Sequence, residues 1–239
     1  MIPESILVVH TGLDDLPPTV LACLSQSEIQ RADQFKAPRR RQQFLCGRAL
    51  LRAVLDRYTG DPAASHVLTA NEDGKPRCAN GPAVSIAHSG NVVVCAATDE
   101  GEIGIDIEVP GRRRHIKGIA ENYFAEDEAR WLTTQPNDRF YMLWVLKEAW
   151  LKATGSGLAG GLDSLSCIVT PPDIVVRNAD HELKALSLYA VERALIGLAT
   201  TIATHEAVIV NQWKPASGRF ETNSGARLIA ATNRPTRRV

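Results

Sequence analysis

Charge of one sign, metal-ligand pairs and long apolar runs are all missing from this chain of 239 residues. Twenty-seven Lys and Arg stand against twenty-seven Asp and Glu, so there is no net charge to coat a nucleic acid. No apolar run approaches the roughly 18 residues of a membrane span. The opening residues, MIPES, lack both the basic stretch and the long apolar core of a secretory signal. The five cysteines (Cys23, Cys46, Cys78, Cys95 and Cys167) are odd in number and form no CxxC, which argues against a disulfide framework or a zinc ribbon. They read as small apolar core residues of a reduced, cytoplasmic protein, with a catalytic thiol as the other reading. HExxH, HxH and GxxxxGK[ST] are missing too, which argues against a zinc enzyme and a P-loop phosphotransferase. What is present is an ordinary globular mixture, 44% hydrophobic and 23% charged, able to bury a core without staples.

The balanced total hides a local asymmetry. Residues 30–57 hold Arg31, Lys36, Arg39, Arg40, Arg41, Arg48, Arg52 and Arg57 against Asp33 and Asp56. Residues 98–108 hold Asp99, Glu100, Glu102, Asp106 and Glu108 with no base. Such a pair of segments suits an anionic ligand plus a divalent cation; two solvated surface stretches are the plainer alternative.

Periodicity predicts helices over residues 25–35 and 42–58, then strands over 83–87, 91–98 and 103–108. Residues 71–76 read as a turn, and 89–91 and 99–102 as hairpin connections. A helical block follows over 116–133, and another over 138–153 with Asp138 as its N-cap and Gly155 as its C-terminal glycine. Beyond a glycine-rich bend, strands are predicted over 187–193, 196–203 and 207–213. Helices then three strands, twice over, implies an α+β chain of two halves, 1–106 and 107–214, each with helices packed on a small, mainly antiparallel sheet. Residues 215–239 lack periodicity and are expected to be a loose tail.

Four short segments carry the chemistry. In residues 103–108, IGIDIE, strand alternation turns Ile103, Ile105 and Ile107 one way and Asp106 and Glu108 the other. Paired carboxylates repel unless a cation or proton lies between them, and hard oxygens suit Mg²⁺; an exposed acidic strand face is the alternative. Glu148 and Lys152 sit four apart in an otherwise apolar helix, where charged groups need partners. They either pair with each other or supply a third metal ligand and a phosphate-binding lysine. His88 and Ser89 close a strand at a hairpin tip, where a ligand or only solvent is met. Lys75 sits on the stiff GKP turn and is either exposed or ligand-binding.

Taken in order, GKP at 74–76, HSG at 88–90, GIDIE at 104–108 and LWxxKEAxLKAxGxGL at 143–158 resemble the 4′-phosphopantetheinyl transferases. The spacing is similar to the long, surfactin-synthetase (Sfp)-type branch, and residues 35–52 resemble its FxxxxxxxxxxxGRxLLR stretch. The resemblance covers residues 25–162, extends weakly to 213 and fails in the tail. Ala87 departs from the serine that many relatives carry, at a position without a chemical role. The resemblance implies a single-chain pseudo-dimer of two similar halves and a site built on coenzyme A and Mg²⁺, with Mn²⁺ as a substitute. Asp106, Glu108 and Glu148 match its metal ligands, and Lys152 the lysine at the coenzyme A pyrophosphate. His88 and Ser89 match residues lining the phosphates, Lys75 the nucleotide end, Arg31 and Arg39 the 3′-phosphate, and Arg48 the GR pair. The implied reaction moves the 4′-phosphopantetheine arm to a serine of an apo acyl, peptidyl or polyketide carrier protein, as in fatty-acid, polyketide and nonribosomal-peptide biosynthesis. Asp106, Glu148 and Lys152 are then catalytic, and Glu148 takes the serine proton. A cytoplasmic monomer with no nucleic-acid or membrane partner is expected. A non-catalytic coenzyme A- or nucleotide-binding module is the alternative; it needs the basic residues but not three acids.

Overall fold

A computed structural model describes residues 6–232 apart from 16, 62–66, 71–74, 112–114, 158–159, 180–183 and 203–207. Five helices run through it: α1 (Gln26–Asp33), α2 (Pro38–Thr59), α3 (Ile116–Tyr123), α4 (Glu126–Leu132) and α5 (Asn137–Thr154). The strands of the first half are β1 (Ile6–Gly12), β2 (Leu68–Ala70), β3 (Pro76–Cys78), β4 (Ala83–Ser89) and β5 (Val92–Thr98). Then come β6 (Ile103–Glu108), β7 (Leu165–Thr170), β8 (Asp173–Ala179), β9 (Ala185–Val191) and β10 (Ala194–Thr200). The last three are β11 (Val210–Lys214), β12 (Arg219–Thr222) and β13 (Arg227–Ala231). The fold is mixed α+β, as expected.

The chain divides into two compact units, Met1–Glu100 with Val208–Asn223, and Gly101–Ala207 with Ser224–Val239. In the first, β12-β11-β1-β5-β4 form a five-stranded sheet, antiparallel except for β1 against β11. Helix α2 lays Leu50, Leu51, Val54 and Leu55, all fully buried, over Leu7, Val9, Val93 and Cys95 of that sheet. Each such side chain contributes about 1.5–3 kcal/mol on leaving water. Pro38 opens α2, where its missing N–H costs nothing, and Gly60 closes it at φ +78°. Ser25 caps α1 in a capping box with Glu28, and Glu28 also pairs at 2.9 Å with buried Arg52 of α2. That pair fastens the short helix to the long one.

The second unit holds a six-stranded sheet, β6-β10-β9-β13-β8-β7, crossed by α5. Two glycines let the helix down onto it. A Cβ at Gly104 would lie 1.8 Å from Ala149 O, and one at Gly197 2.4 Å from Val145 O. Phe140, Leu143, Leu146 and Trp150 of α5 fill the core against Leu165, Cys167, Leu186 and Leu188.

Several sequence expectations change. Residues 99–102 do not join a hairpin, because β5 pairs with β1 and β4 while β6 pairs with β10. The division between units therefore falls at Glu100, ahead of β6, rather than after Asp106. The block over 116–133 is two helices, since Phe124 and Ala125 are extended. Asp138 lies in the first turn of α5; Pro136 holds the cap position, without a side-chain bond. The expected tail contributes β12 beside β11 and β13 between β9 and β8. Of the turn at 71–76, residues 71–74 lie outside the described ones.

Candidate active site

In the first unit the basic stretch meets the tip of the β4–β5 hairpin. Pro38 starts α2, so Arg39 and Arg40 fall in its first turn. Arg39 Nη2 donates to Asn91 Oδ1 at 2.8 Å, and Arg40 Nη1 lies 3.0 Å from His88 Nε2. A guanidinium has donors only, so that ring nitrogen accepts. Ser89 is buried to 9% exposure beside them, at the hairpin turn that Gly90 makes with φ +57°. Thus Arg39, Arg40, His88 and Ser89 share one end of one sheet. Arg31 and Arg48 instead lie along their helices, over Phe35 at 5.6 Å and Phe44 at 5.2 Å. Arg31 also donates to Gln34 Oε1 at 2.7 Å. Burial lowers the pKa of the Arg48 guanidinium. Lys75 is half-buried just before β3, which forms a separate two-stranded pair with β2.

In the second unit the acids gather under α5. Gly104, Asp106 and Glu108 alternate onto the face of β6 that Gly104 presses against Ala149, while Ile103, Ile105 and Ile107 point away. Asp106 and Glu108 are buried, at 8% and 7% exposure. Lys152, in the last turn of α5, reaches down: its Nζ is 2.7 Å from Asp106 Oδ1 and 3.1 Å from Ile105 O. Glu148 is half-buried one turn earlier, next to the Ala149 that packs on Gly104. Burial raises the Asp106 carboxyl pKa, and the Glu108 charge adds to that, against the lowering effect of Lys152.

Among the described residues no group of three or more His, Cys, Asp and Glu side chains is gathered closely enough to hold an ion. The β6 pair itself nevertheless fits a small divalent cation in chemistry. It presents hard carboxylate oxygens on one face, taken out of water, with the Lys152 ammonium on the Asp106 carboxylate.

Two charged side chains had no role in the sequence reading. Arg40 stood in the basic stretch; Pro38 one residue before Arg39 is the signal that puts both arginines in a first turn. Lys147 is fully buried, paired with Glu128 at 2.7 Å, and donates to Leu162 O at 2.8 Å and to Leu165 O. Desolvation raises the Glu128 pKa while Lys147 opposes it. A lysine amid Leu143, Leu146, Trp150 and Leu151 was the signal that a buried partner must exist.

These two groups sit in chain segments that match known families. Residues 29–98 match the 4′-phosphopantetheinyl transferase N-terminal domain, and residues 102–196 match the 4′-phosphopantetheinyl transferase superfamily. This chain belongs to that superfamily, in its Sfp-type branch. It is 32% identical over 161 residues to the 4′-phosphopantetheinyl transferase HetI of Nostoc sp., covering 64% of this chain and 68% of the relative. Sfp of Bacillus subtilis is 33% identical over 162 residues, 60% of this chain and 70% of that one. A putative 4′-phosphopantetheinyl transferase of Synechocystis sp. is 34% identical over 158 residues, 63% of this chain and 64% of the relative. Among the described residues no helix is long and apolar enough to cross a membrane.

Proposed function

We propose that this chain transfers the 4′-phosphopantetheine arm of coenzyme A to a serine of an apo acyl, peptidyl or polyketide carrier protein, releasing adenosine 3′,5′-bisphosphate. The observation that carries this reading is the group under α5, where a buried acid pair and a lysine share one face of β6. Membership of the superfamily supports it.

The chemistry asks mostly for position and charge neutralisation. The carrier serine Oγ forms a bond to the β-phosphorus, the bond from that phosphorus to the bridging oxygen breaks, and the electron pair leaves with the bisphosphate. Glu148 accepts the serine proton, directly or through one water. Lys152 holds the pyrophosphate, while Arg39, Arg40, His88 and Ser89 hold phosphate oxygens through donors already grouped at the hairpin tip. Arg31, Arg48 and Lys75 complete the basic lining. Asp106 and Glu108, with Glu148 as third acid, would hold Mg²⁺ or Mn²⁺, which when bound neutralises charge on pyrophosphate oxygens. The chain works as a cytoplasmic monomer, without nucleic-acid or membrane partners.

Incubation with coenzyme A, Mg²⁺ and a panel of apo carrier proteins tests this by carrier mass, with light scattering on the same sample for the monomer. The expected result is one added phosphopantetheine on at least one carrier. Coenzyme A binding with every carrier unchanged in mass would leave only a binding module.

A further inference from the structure

Lys152 is held in a way that phosphate recognition does not require. Its Nζ donates to both Asp106 Oδ1, at 2.7 Å, and Ile105 O, at 3.1 Å, while its own side chain keeps 29% exposure against 12% for Asp106. The arrangement is built in by the fold. Gly104, two residues before Asp106, has no Cβ to block Ala149 O, so α5 comes down onto β6 and sets its last turn over the acid. The helix C-terminus, with its partial negative charge, favours an ammonium there as well.

We infer that Lys152 is a stand-in cation: it neutralises and positions Asp106 before catalysis, competes with the divalent metal for that carboxylate, and leaves it when the pyrophosphate of coenzyme A offers a better partner. The inference rests on the metal and coenzyme A reading given above. It adds an order of events and a direction of coupling to that reading. An ammonium and a divalent cation repel each other strongly at one desolvated carboxylate. Metal binding by the protein alone is therefore weakened by its own lysine. Coenzyme A removes the competitor by attracting Lys152 to its phosphates, so coenzyme A and metal each strengthen the binding of the other, as linkage demands. The exposure of Lys152 and its flexible four-carbon stem permit the move. The gain for the enzyme is that a buried acid pair is never left without a cation at any stage of the cycle.

The test measures Mn²⁺ binding by calorimetry and by electron paramagnetic resonance, on the full chain without coenzyme A. Wild type is compared with Lys152→Met and Lys152→Arg, each first checked for native circular dichroism. Lys152→Met is expected to bind Mn²⁺ at least about tenfold more tightly than wild type, although its transfer activity falls. Lys152→Arg keeps the charge and is expected to bind as weakly as wild type. Adding coenzyme A should tighten Mn²⁺ more in wild type than in Lys152→Met. Equal or weaker Mn²⁺ binding by Lys152→Met overturns the inference and leaves the transferase reading standing. If Lys152→Met does not fold, Lys152→Gln takes its place under the same criterion. Failure of every form to bind Mn²⁺, with or without coenzyme A, would overturn the metal assignment itself.

Discussion

Arg39 illustrates how one side chain acquires a role from its place in a helix. Pro38 fixes where α2 starts, the first turn aims Arg39 at Asn91, and Arg40 beside it reaches His88. Both arginines are exposed, so neither is committed to the core. Arginine forks match phosphate oxygens bidentately, and one charge-assisted contact is worth about 1.5–3 kcal/mol, or roughly ten- to hundredfold in affinity. Arg31→Ala with Arg39→Ala, which removes two such contacts, is therefore expected to raise KM for coenzyme A by at least about that factor, with little change for 3′-dephospho-coenzyme A. Steady-state kinetics with the two substrates check this, and equal losses for both would sink the 3′-phosphate assignment. At this scale the sequence marked the charged positions but not the partners they find. Four-residue spacing left Glu148 and Lys152 as either a pair or parts of a metal and phosphate site, and could not show that Lys152 bonds Asp106, far away in the chain. Helix spacing reports which side chains are neighbours on one helix; it is blind to what the helix lies on.

Helix α5 and the strands beneath it form the element that decides the acid group. The helix touches β6 and β10 with backbone rather than side chains at Gly104 and Gly197. A backbone carbonyl cannot turn aside as a side chain can. Gly197→Ala, which would bring a Cβ to 2.4 Å from Val145 O, is expected to cost about 3 kcal/mol. Gly47→Ala is the control: in α2 its Cβ would meet side chains rather than backbone, Ile86 Cδ1 at 3.0 Å and Val93 Cγ1 at 3.9 Å. A flexible side chain yields there, and the better helix propensity of alanine, up to about 1 kcal/mol, offsets the crowding. Guanidinium unfolding of both variants checks the contrast. A Gly197→Ala midpoint at or above that of Gly47→Ala would show that the close approach is not real. The same element shows why residues 99–102 misled. Two strands joined by a short polar link look like a hairpin, but β6 finds β10 instead.

The whole molecule depends on its last residues more than their composition suggested. β12 covers the β11 edge of one sheet, and β13 lies inside the other, between β9 and β8. A chain ending at residue 214 would lose both strands, leaving β9 paired with β10 alone, as an exposed edge, and β8 without its parallel contact. Exposed edges invite aggregation. That truncation is expected to be insoluble or to unfold without cooperativity, measured by thermal circular dichroism against the full chain. A soluble product with the wild-type melting temperature would show that β13 adds nothing to the sheet.

What the sequence determined by itself was most of the alternation and periodicity within single elements, though not every helix end or connection. Period-two alternation in IGIDIE put Asp106 and Glu108 on one face, which only the tertiary structure shows to be buried, and 3.6-residue periodicity marked α2 and most of α5. The ordered set GKP, HSG, GIDIE and KEAWLK carries the likeness to the superfamily in one dimension. Pairing across long separations was decided by the tertiary structure alone. It set β1 beside β5 and β11, placed β13 within a sheet, gave Lys147 its Glu128 and gave Lys152 its Asp106. The physical reason is that a strand's alternation or a helix's stripe specifies which face must be buried, whereas the hydrogen-bonding partner is chosen among all strand edges and charges that the collapsed chain brings within reach.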